Sequence, residues 1–380
     1  MSLAALIVAS LTFANMQQVP PPQGAAQPGP NAYPELLTQT VIAQGRGYFP
    51  VMVRLNNGRL CVVLRGGAAE FGLGGRLDWV ESDDQGRTWT APRTIIDSPL
   101  DDRNPAMGQM ADGSLVLAYA ECSCYDPEGG YNEDYGGYKY YTVRSTTGGA
   151  TWSRPEPFVP GPIGRLGSAY GRIITLDSGI SLMPVYGRPR TRGGDKYPAT
   201  RQLSGVLVSR NNGRTWGGFS LIGIGFNEAS LVSLGGNKVL AAVRSETGQV
   251  YVARSVDAGR TWTPPERVTG GPGGDQQEHP ADLMALPNKW LVMAYGSRVY
   301  PFGVYAMMSY DAGLTWDYEH RLMLTNDSAS ADCGYPSIVL LPSGEGLCAC
   351  YAVRGTDTQL TRAYVVRISA SLLRPAKKKR

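Results

Sequence analysis

Residues 309–316 read SYDAGLTW, and near-copies stand at 82–89 (SDDQGRTW), 145–152 (STTGGATW), 209–216 (SRNNGRTW) and 255–262 (SVDAGRTW). These five phrases of the form S-x-x-x-G-x-T-W take up five of the chain's seven tryptophans. Within the phrase, Ser and Asp side chains can bond the turn's backbone, Gly supplies an unusual φ, and Thr-Trp opens the next strand. The third position is Asp84, Asp257 and Asp311 in three copies but Thr147 and Asn211 in the others. A catalytic carboxylate could not be lost from two of five copies; a turn-bonding acceptor could. The phrase is therefore structural punctuation, with its tryptophan pinning the turn onto its own sheet.

A second periodicity runs beneath the first. Six times an apolar run meets a Gly/Asn/Asp turn and a second apolar run leaves it: VMVRLNNGRLCVVL, MGQMADGSLVLAYA, IITLDSGISLMPVY, LVSLGGNKVLAAV, LMALPNKWLVMAY and IVLLPSGEGLCACY. Such pairs are β-hairpins. Their turns fall near Gly58, Gly113, Gly179, Gly236, Asn288 and Gly344, at steps of 52 to 66 residues. After each of the first five comes one more strand that runs into the repeated phrase. Units of about four strands have the size of a propeller blade. The pattern predicts an all-β chain: a six-bladed β-propeller with four-stranded antiparallel blades. The sixth unit ends on AYVVRIS and is completed by an N-terminal strand near LLTQTVIAQ.

At 380 residues the chain is either two domains or one large repeat-built domain. Its net charge of +4 is concentrated in the tail: Arg374, Lys377, Lys378, Lys379 and Arg380 hold five positive charges, which leaves the rest at −1. A nucleic-acid partner is excluded on charge. The opening MSLAALIVASLTFANMQ has the length of a signal peptide and is too short to span a membrane as a helix. Together with the Pro/Gly-rich stretch that follows, it makes residues 1–35 a leader and linker. Residues 36–372 form the propeller and 373–380 a solvated basic tail. The chain is expected to be exported (secreted or periplasmic), without an integral membrane segment, and to act as a monomer. Of six cysteines, the pairs in CSC and CAC share one strand face, as small buried residues do. With two histidines and no CxxC, neither a metal site nor a cofactor is implied.

In an antiparallel hairpin the start of the first strand and the end of the second lie at one edge. Six hairpins in a ring bring six such edges around one mouth. The entries read GYFP (47–50), DRNP (102–105), AYGR (169–172), FNE (226–228), EHPAD (278–282) and DCGYP (332–336). Five of the six exits carry an arginine: Arg65, Arg188, Arg244, Arg298 and Arg354. Several guanidinium groups at one mouth suit a carboxylate or another oxyanion. Glu228, Asp282, Glu278 and Asp332 are set among them, with Tyr48, Tyr170 and Tyr335. That mixture fits a carbohydrate-processing cleft, and the alternative is a set of salt-bridged spokes closing the ring.

The phrases, set on six hairpins, resemble the Asp-box repeats of the sialidase (neuraminidase) superfamily over about residues 45–370. The resemblance implies a retaining exo-glycosidase acting on terminal sialic-acid-like or other acidic sugars of glycans. FNEASLVSLGGNKVLAAVR is similar to that family's N-E…R segment, which makes Glu228 the base of the nucleophile and Arg244 a clamp arginine. GSRVYPFGVYAMMSYDAG implies Arg298 as another clamp member, and CGYPSIVLLPSG implies Tyr335 as nucleophile. RNPAMG resembles the segment in which Asn104 lines the sugar pocket. LRGGAAE resembles the stretch that joins a conserved arginine, here Arg65, to the acid/base, here Glu70. Two positions depart from the family. Tyr48 stands where F-R-I-P has the first clamp arginine, and Ala352 stands where L-Y-E has its supporting glutamate. Arg103, Arg172 or Arg354 are candidates for a replacement charge, and His279 for a bond to a substrate hydroxyl. The alternative function is a non-catalytic propeller that binds acidic glycans, or a scaffold.

Overall fold

The computed structural model describes residues 37–190, 197–271, 276–353 and 361–373. The expected leader and linker, Arg354, and all but the first residue of the basic tail lie outside them. Six antiparallel sheets follow one another. Blade 1 is Tyr48–Arg54, Leu60–Gly66, Arg76–Ser82 and Arg93–Ile96. Blade 2 is Asp101–Gln109, Leu115–Cys122, Tyr138–Ser145 and Glu156–Pro157. Blade 3 is Ile163–Ala169, Ser181–Pro189, Leu203–Ser209 and Gly217–Ile224. Blade 4 is Phe226–Ser233, Val239–Ser245, Val250–Ser255 and Glu266–Arg267. Blade 5 is Glu278–Ala285, Leu291–Ser297, Gly303–Ser309 and Leu322–Thr325. Blade 6 is Cys333–Leu340, Gly346–Ala352 and Thr361–Ile368, completed by Leu37–Gly45, which pairs with Thr361–Ile368. The first strands of successive blades touch around the ring, except that blade 3 meets Phe226–Ser233 chiefly through Ser181–Pro189 and Gly171–Arg172, and the first strands of blades 6 and 1 meet to close it. No helix among the described residues is long and apolar enough to cross a membrane.

Each sheet is sandwiched between two others, so its middle strands read as nearly unbroken apolar runs. In LCVVL of blade 1, Cys61 and Val63 face blade 2 beside Met107 and Leu117. Leu60, Val62 and Leu64 face blade 6 beside Leu347 and Ala349. The period of two splits one strand between two neighbours. All six cysteines are buried free thiols, as the strand-face reading expected.

The repeated phrase does what its composition implies. The serine Oγ accepts the glycine N–H in every copy, at 2.9 Å for Ser82, Ser145, Ser209 and Ser255 and 2.7 Å for Ser309. Thr147 and Asn211 accept the Thr151 and Thr215 N–H groups at 2.9 and 3.0 Å, so they replace the aspartate as acceptors. One expectation is refined: the phrase joins blades as well as closing its own sheet. A Cβ on Gly149 of blade 2 would strike Trp79 of blade 1, and one on Gly313 of blade 5 would strike Leu240 of blade 4. Arginines of the preceding blade also cap these turns. Arg367 donates to the Gln85 carbonyl at 2.6 Å and Arg93 to that of Gly149 at 2.8 Å; Arg254 donates to that of Gly313.

Two sheets gain a fifth short strand. The first strand of blade 3 breaks after Ala169, where Gly171 has a φ of +93°. Gly171–Arg172 swerves to pair in parallel with Ala106 and Met107 of blade 2 before Ile174–Thr175 returns to blade 3. Replacing Ser309 by Ala should strand the buried Gly313 N–H and cost about 1–3 kcal/mol. Urea unfolding should show a lower midpoint with an unchanged slope.

Candidate active site

All six first strands carry an extra residue against their partners near the same end, and that of blade 3 carries a second between Ile163 and Arg165. The register slips between Tyr48 and Val51, Arg103 and Ala106, Arg165 and Ser168, Phe226 and Ala229, Glu278 and Ala281, and Gly334 and Ser337. These are β-bulges, which bend a strand and re-aim a side chain. Phe49, Asn104, Leu166 and Tyr335 hold left-handed φ values of 53°, 55°, 49° and 48° at the bulges. Pro50, Pro105 and Pro336 follow three of them; a residue without an N–H sits at a bulge without loss of a ladder bond. The strain, roughly 1–3 kcal/mol at each such residue, is held by the packed ring.

The bulge in blade 6 delivers Tyr335 to Glu228 of blade 4. The phenol donates to Glu228 Oε1 at 2.8 Å. Arg244 Nη1 lies 3.2 Å from both Glu228 Oε2 and Tyr335 Oη. Arg298 stacks on the Tyr335 ring at 5.7 Å and donates to the Ala331 carbonyl at 2.6 Å. Tyr335 also packs against Phe49 at 4.7 Å and Tyr170 at 5.3 Å. Burial and then the Glu228 charge push its phenol well above the ordinary range, against the pull of Arg244 and Arg298. Burial opposes the charge on Arg244, but Glu228 and Tyr335 outweigh it and hold the guanidinium protonated.

A cavity of about 240 Å³ opens beside this cluster, somewhat below the usual range for ligand pockets (roughly 300–1,000 Å³). Tyr335, Glu228, Glu70, Arg103 and Asn104 all line it, with Phe49 and Phe71 among its aromatic walls. Glu70 reaches it on the loop between the second and third strands of blade 1. Burial, with Asp332 adding to it, pushes the Glu70 carboxyl up to about 6, although Arg103, Arg298 and Arg65 pull the other way. Asn104 donates to Tyr186 Oη.

Several expected site residues lie elsewhere. Tyr48 is fully buried, accepts a hydrogen bond from Thr361 Oγ1 at 2.9 Å and packs on Tyr351; Phe49, turned inward by the bulge, takes its place at the cavity. Arg65 is fully buried as well. It donates to Asp101 Oδ1 at 2.7 and 2.9 Å and to the carbonyls of Ala68, Ala69 and Gly72, so it holds the Glu70 loop from behind. His279 is buried, and burial followed by Arg244 and Arg298 drives its pKa far down, leaving a neutral ring off the cavity wall. Arg244 and Arg298 flank Tyr335 rather than line the cavity. Arg172 and Asp282 meet at 3.0 Å deeper in the ring, and Glu278 is held by Tyr318 at 2.8 Å and Gly270 at 2.7 Å.

Asp101 was missed, although it stands two residues before Arg103 in DDRNP and shares its strand face. Its buried carboxylate takes Arg65, Arg103 at 3.1 Å and Tyr125 Oη at 2.6 Å. Tyr186 was missed too, since its role depends on the neighbouring blade.

The profile of the BNR repeat-like domain family matches residues 100–348. No curated protein sequence matches the chain. A protein of unknown function from Dyadobacter fermentans is similar at 24% identity and a TM-score of 0.71, over 88% of this chain and all of that one. The Hadza microbial sialidase Hz136 is similar at 17% identity and a TM-score of 0.65, over 86% of this chain and 66% of that one. Trypanosoma rangeli sialidase, solved as a covalent intermediate with 2,3-difluorosialic acid, gives 15% and 0.64, over 87% and 55%. The chain thus spans less than two thirds of the length of these two sialidases, and the likeness is one of fold.

Exchanging Glu228 for Gln removes the charge beside Tyr335. Carbon-13 NMR of labelled tyrosine should then show the Tyr335 phenol ionising at lower pH than in the unsubstituted protein.

Proposed function

The chain belongs to the BNR repeat-like domain family, and from that premise we propose that it is a retaining exo-glycosidase acting on terminal sialic-acid-like or other acidic sugars. One observation carries the reading: the 2.8 Å bond between Tyr335 Oη and Glu228 Oε1, with Arg244 bridging both. A structural ion pair has no use for a phenol held between a carboxylate and a guanidinium beside a sugar-sized cavity.

Most retaining glycosidases use a carboxylate nucleophile, and a tyrosine is the exception. A sugar with a carboxylate on its anomeric carbon repels an incoming carboxylate. A neutral phenol approaches freely and keeps its proton until the bond forms. Tyr335 Oη attacks the anomeric carbon as its proton passes to Glu228 Oε1. The neutral Glu70 carboxyl protonates the departing glycosidic oxygen. In the second half Glu70 takes a proton from water, which attacks the same carbon from the vacated side. The Tyr335 oxygen then leaves and recovers its proton from Glu228. Two inversions give net retention.

Arg244 and Arg298, placed against Tyr335, stabilise negative charge as it builds on the phenol oxygen. The second reading, an acidic-glycan-binding propeller without catalysis, draws on Tyr48 and Ala352, which fill the places of a clamp arginine and its glutamate.

An aryl ketoside of sialic acid or a related acid should be cleaved with retained configuration, and Tyr335→Phe should abolish turnover with the fold intact. Full activity in that variant would remove Tyr335 as nucleophile; tight glycan binding without hydrolysis in the unsubstituted protein would favour the second reading. Glu70 donates only while protonated, so kcat/KM should be high below pH about 6 and fall as pH rises through it. Glu70→Gln should lower the rate by about 10²–10⁴-fold and erase that fall in the pH profile.

A further inference from the structure

We propose that Arg103 is the cation that reads the charged group of the bound sugar, in place of the arginine whose position Tyr48 fills. The inference rests on the reading of the cavity as an acidic-sugar site. Arg103 lines the same cavity as Tyr335, Glu228 and Glu70, and a space that small lets one sugar touch all four. Its guanidinium is fixed before any ligand arrives. Nη1 donates to Asp101 Oδ2 at 3.1 Å, Nε to Asn104 Oδ1 at 3.3 Å, and the group lies 4.7 Å over the Phe71 ring. A cation already ordered loses little entropy on binding.

Two arginines line the cavity, Arg103 and Arg188; Arg298, which donates to the His279 and Ala331 carbonyls, lies off its wall. Asp101 is fully buried and serves both Arg65 and Arg103, so one carboxylate answers two guanidinium groups. Arg244 has Glu228 to itself, Arg188 has Glu133, and Arg172 has Asp282. Arg65 spends its donors on Asp101 and loop carbonyls. The charge that Asp101 leaves unbalanced therefore reaches the wall on Arg103, beside Glu70, Glu133 and Glu228, and a sugar carboxylate can accept from it there.

At the cavity wall the competing anion is Glu70. Asp332, Arg103, Arg298 and Arg65 face Glu70, and Asp101, Tyr138, Cys122 and Glu70 surround Arg103. As pH falls through about 6, Glu70 becomes neutral and its charge no longer competes with that of the ligand near Arg103. Affinity for a carboxylate should therefore rise on acidification while affinity for an uncharged sugar stays level.

The test uses the full chain carrying Tyr335→Phe, to prevent turnover, titrated with sialic acid and glucuronic acid and with the methyl ester of each. Binding is read by calorimetry or saturation-transfer NMR. At least one acid should bind more tightly than its ester, and more so below pH 6 than above it. Adding Arg103→Gln should weaken the acid on the order of tenfold to a hundredfold and leave the ester unchanged; Arg103→Lys should recover part of the loss. Arg103→Gln leaves Asp101 paired one-to-one with Arg65, and its thermal unfolding checks that the fold is kept. An acid preference that survives Arg103→Gln overturns the inference, as does the absence of an acid preference in both pairs. Its failure is separate from that of the glycosidase reading. Retention and the loss of turnover in Tyr335→Phe stand or fall without Arg103, and acid discrimination through Arg103 would survive the discovery that Tyr335 is dispensable.

Discussion

The carboxylate of Asp282, near the axis of the ring, ties four blades together. Asp282 belongs to blade 5. Its oxygens accept from Arg172 of the blade 3 swerve at 3.0 Å, from Ser230 Oγ of blade 4 and from the Ile338 N–H of blade 6 at 2.8 Å. A buried charge so far from bulk water persists only if it is paired and hydrogen-bonded, and this one is. Arg172 could not reach it without the break at Gly171, which explains why the first strand of blade 3 departs from its track. Above this floor lie Tyr170, Glu228 and Pro336, which border the same small void as Asp282. The axial polar cluster thus sets the depth at which the site begins.

Around that floor the ring uses repetition for structure and deviation for chemistry. The five phrases make equivalent turns, each seated against the blade before it, and the six bulges occur at equivalent places in the first strands. What differs is the residues at each bulge: Phe49, Asn104, Leu166, Asn227 with Glu228, His279 and Tyr335. The proposed reaction needs a nucleophile, a base and an acid that are mutually close yet far apart in sequence. Blades 6, 4 and 1 supply them, and none can be placed without closure of the whole ring. The terminal strand Leu37–Gly45, paired with Thr361–Ile368, makes that closure a contact between the two ends of the described propeller.

Much of this was legible before the fold was known. Hairpin turns, strand pairs and the phrase itself depend on local chemistry, on glycine, on short hydrogen-bonding side chains and on apolar alternation, and they were read directly. The meeting of Tyr335, Glu228 and Arg244 was legible as well, because their segments resemble those of the sialidase superfamily and the repeat brings those strand ends to one mouth. Tyr48 and Arg65 were misplaced for different reasons: Arg65, on an unbulged second strand, is taken up by Asp101 of the next blade, and Tyr48 is turned away by the bulge beside it. Reading a strand by alternation assumes an unbroken period of two, and a one-residue bulge reverses which neighbour faces inward. The prolines after Phe49, Asn104 and Tyr335 carried that signal.

By itself, the sequence determined the number of blades, the turn chemistry and the residues that could do acid–base work, since each depends on neighbours within a few positions along the chain. The tertiary structure alone decided which charges remain unanswered. Two arginines from different blades share Asp101, whereas Arg244 has Glu228 to itself. A composition lists charges without their distances, and electrostatic energy depends on distance and burial. The Arg103 guanidinium, which shares Asp101 with Arg65, reaches the cavity wall only when the blades are closed around it.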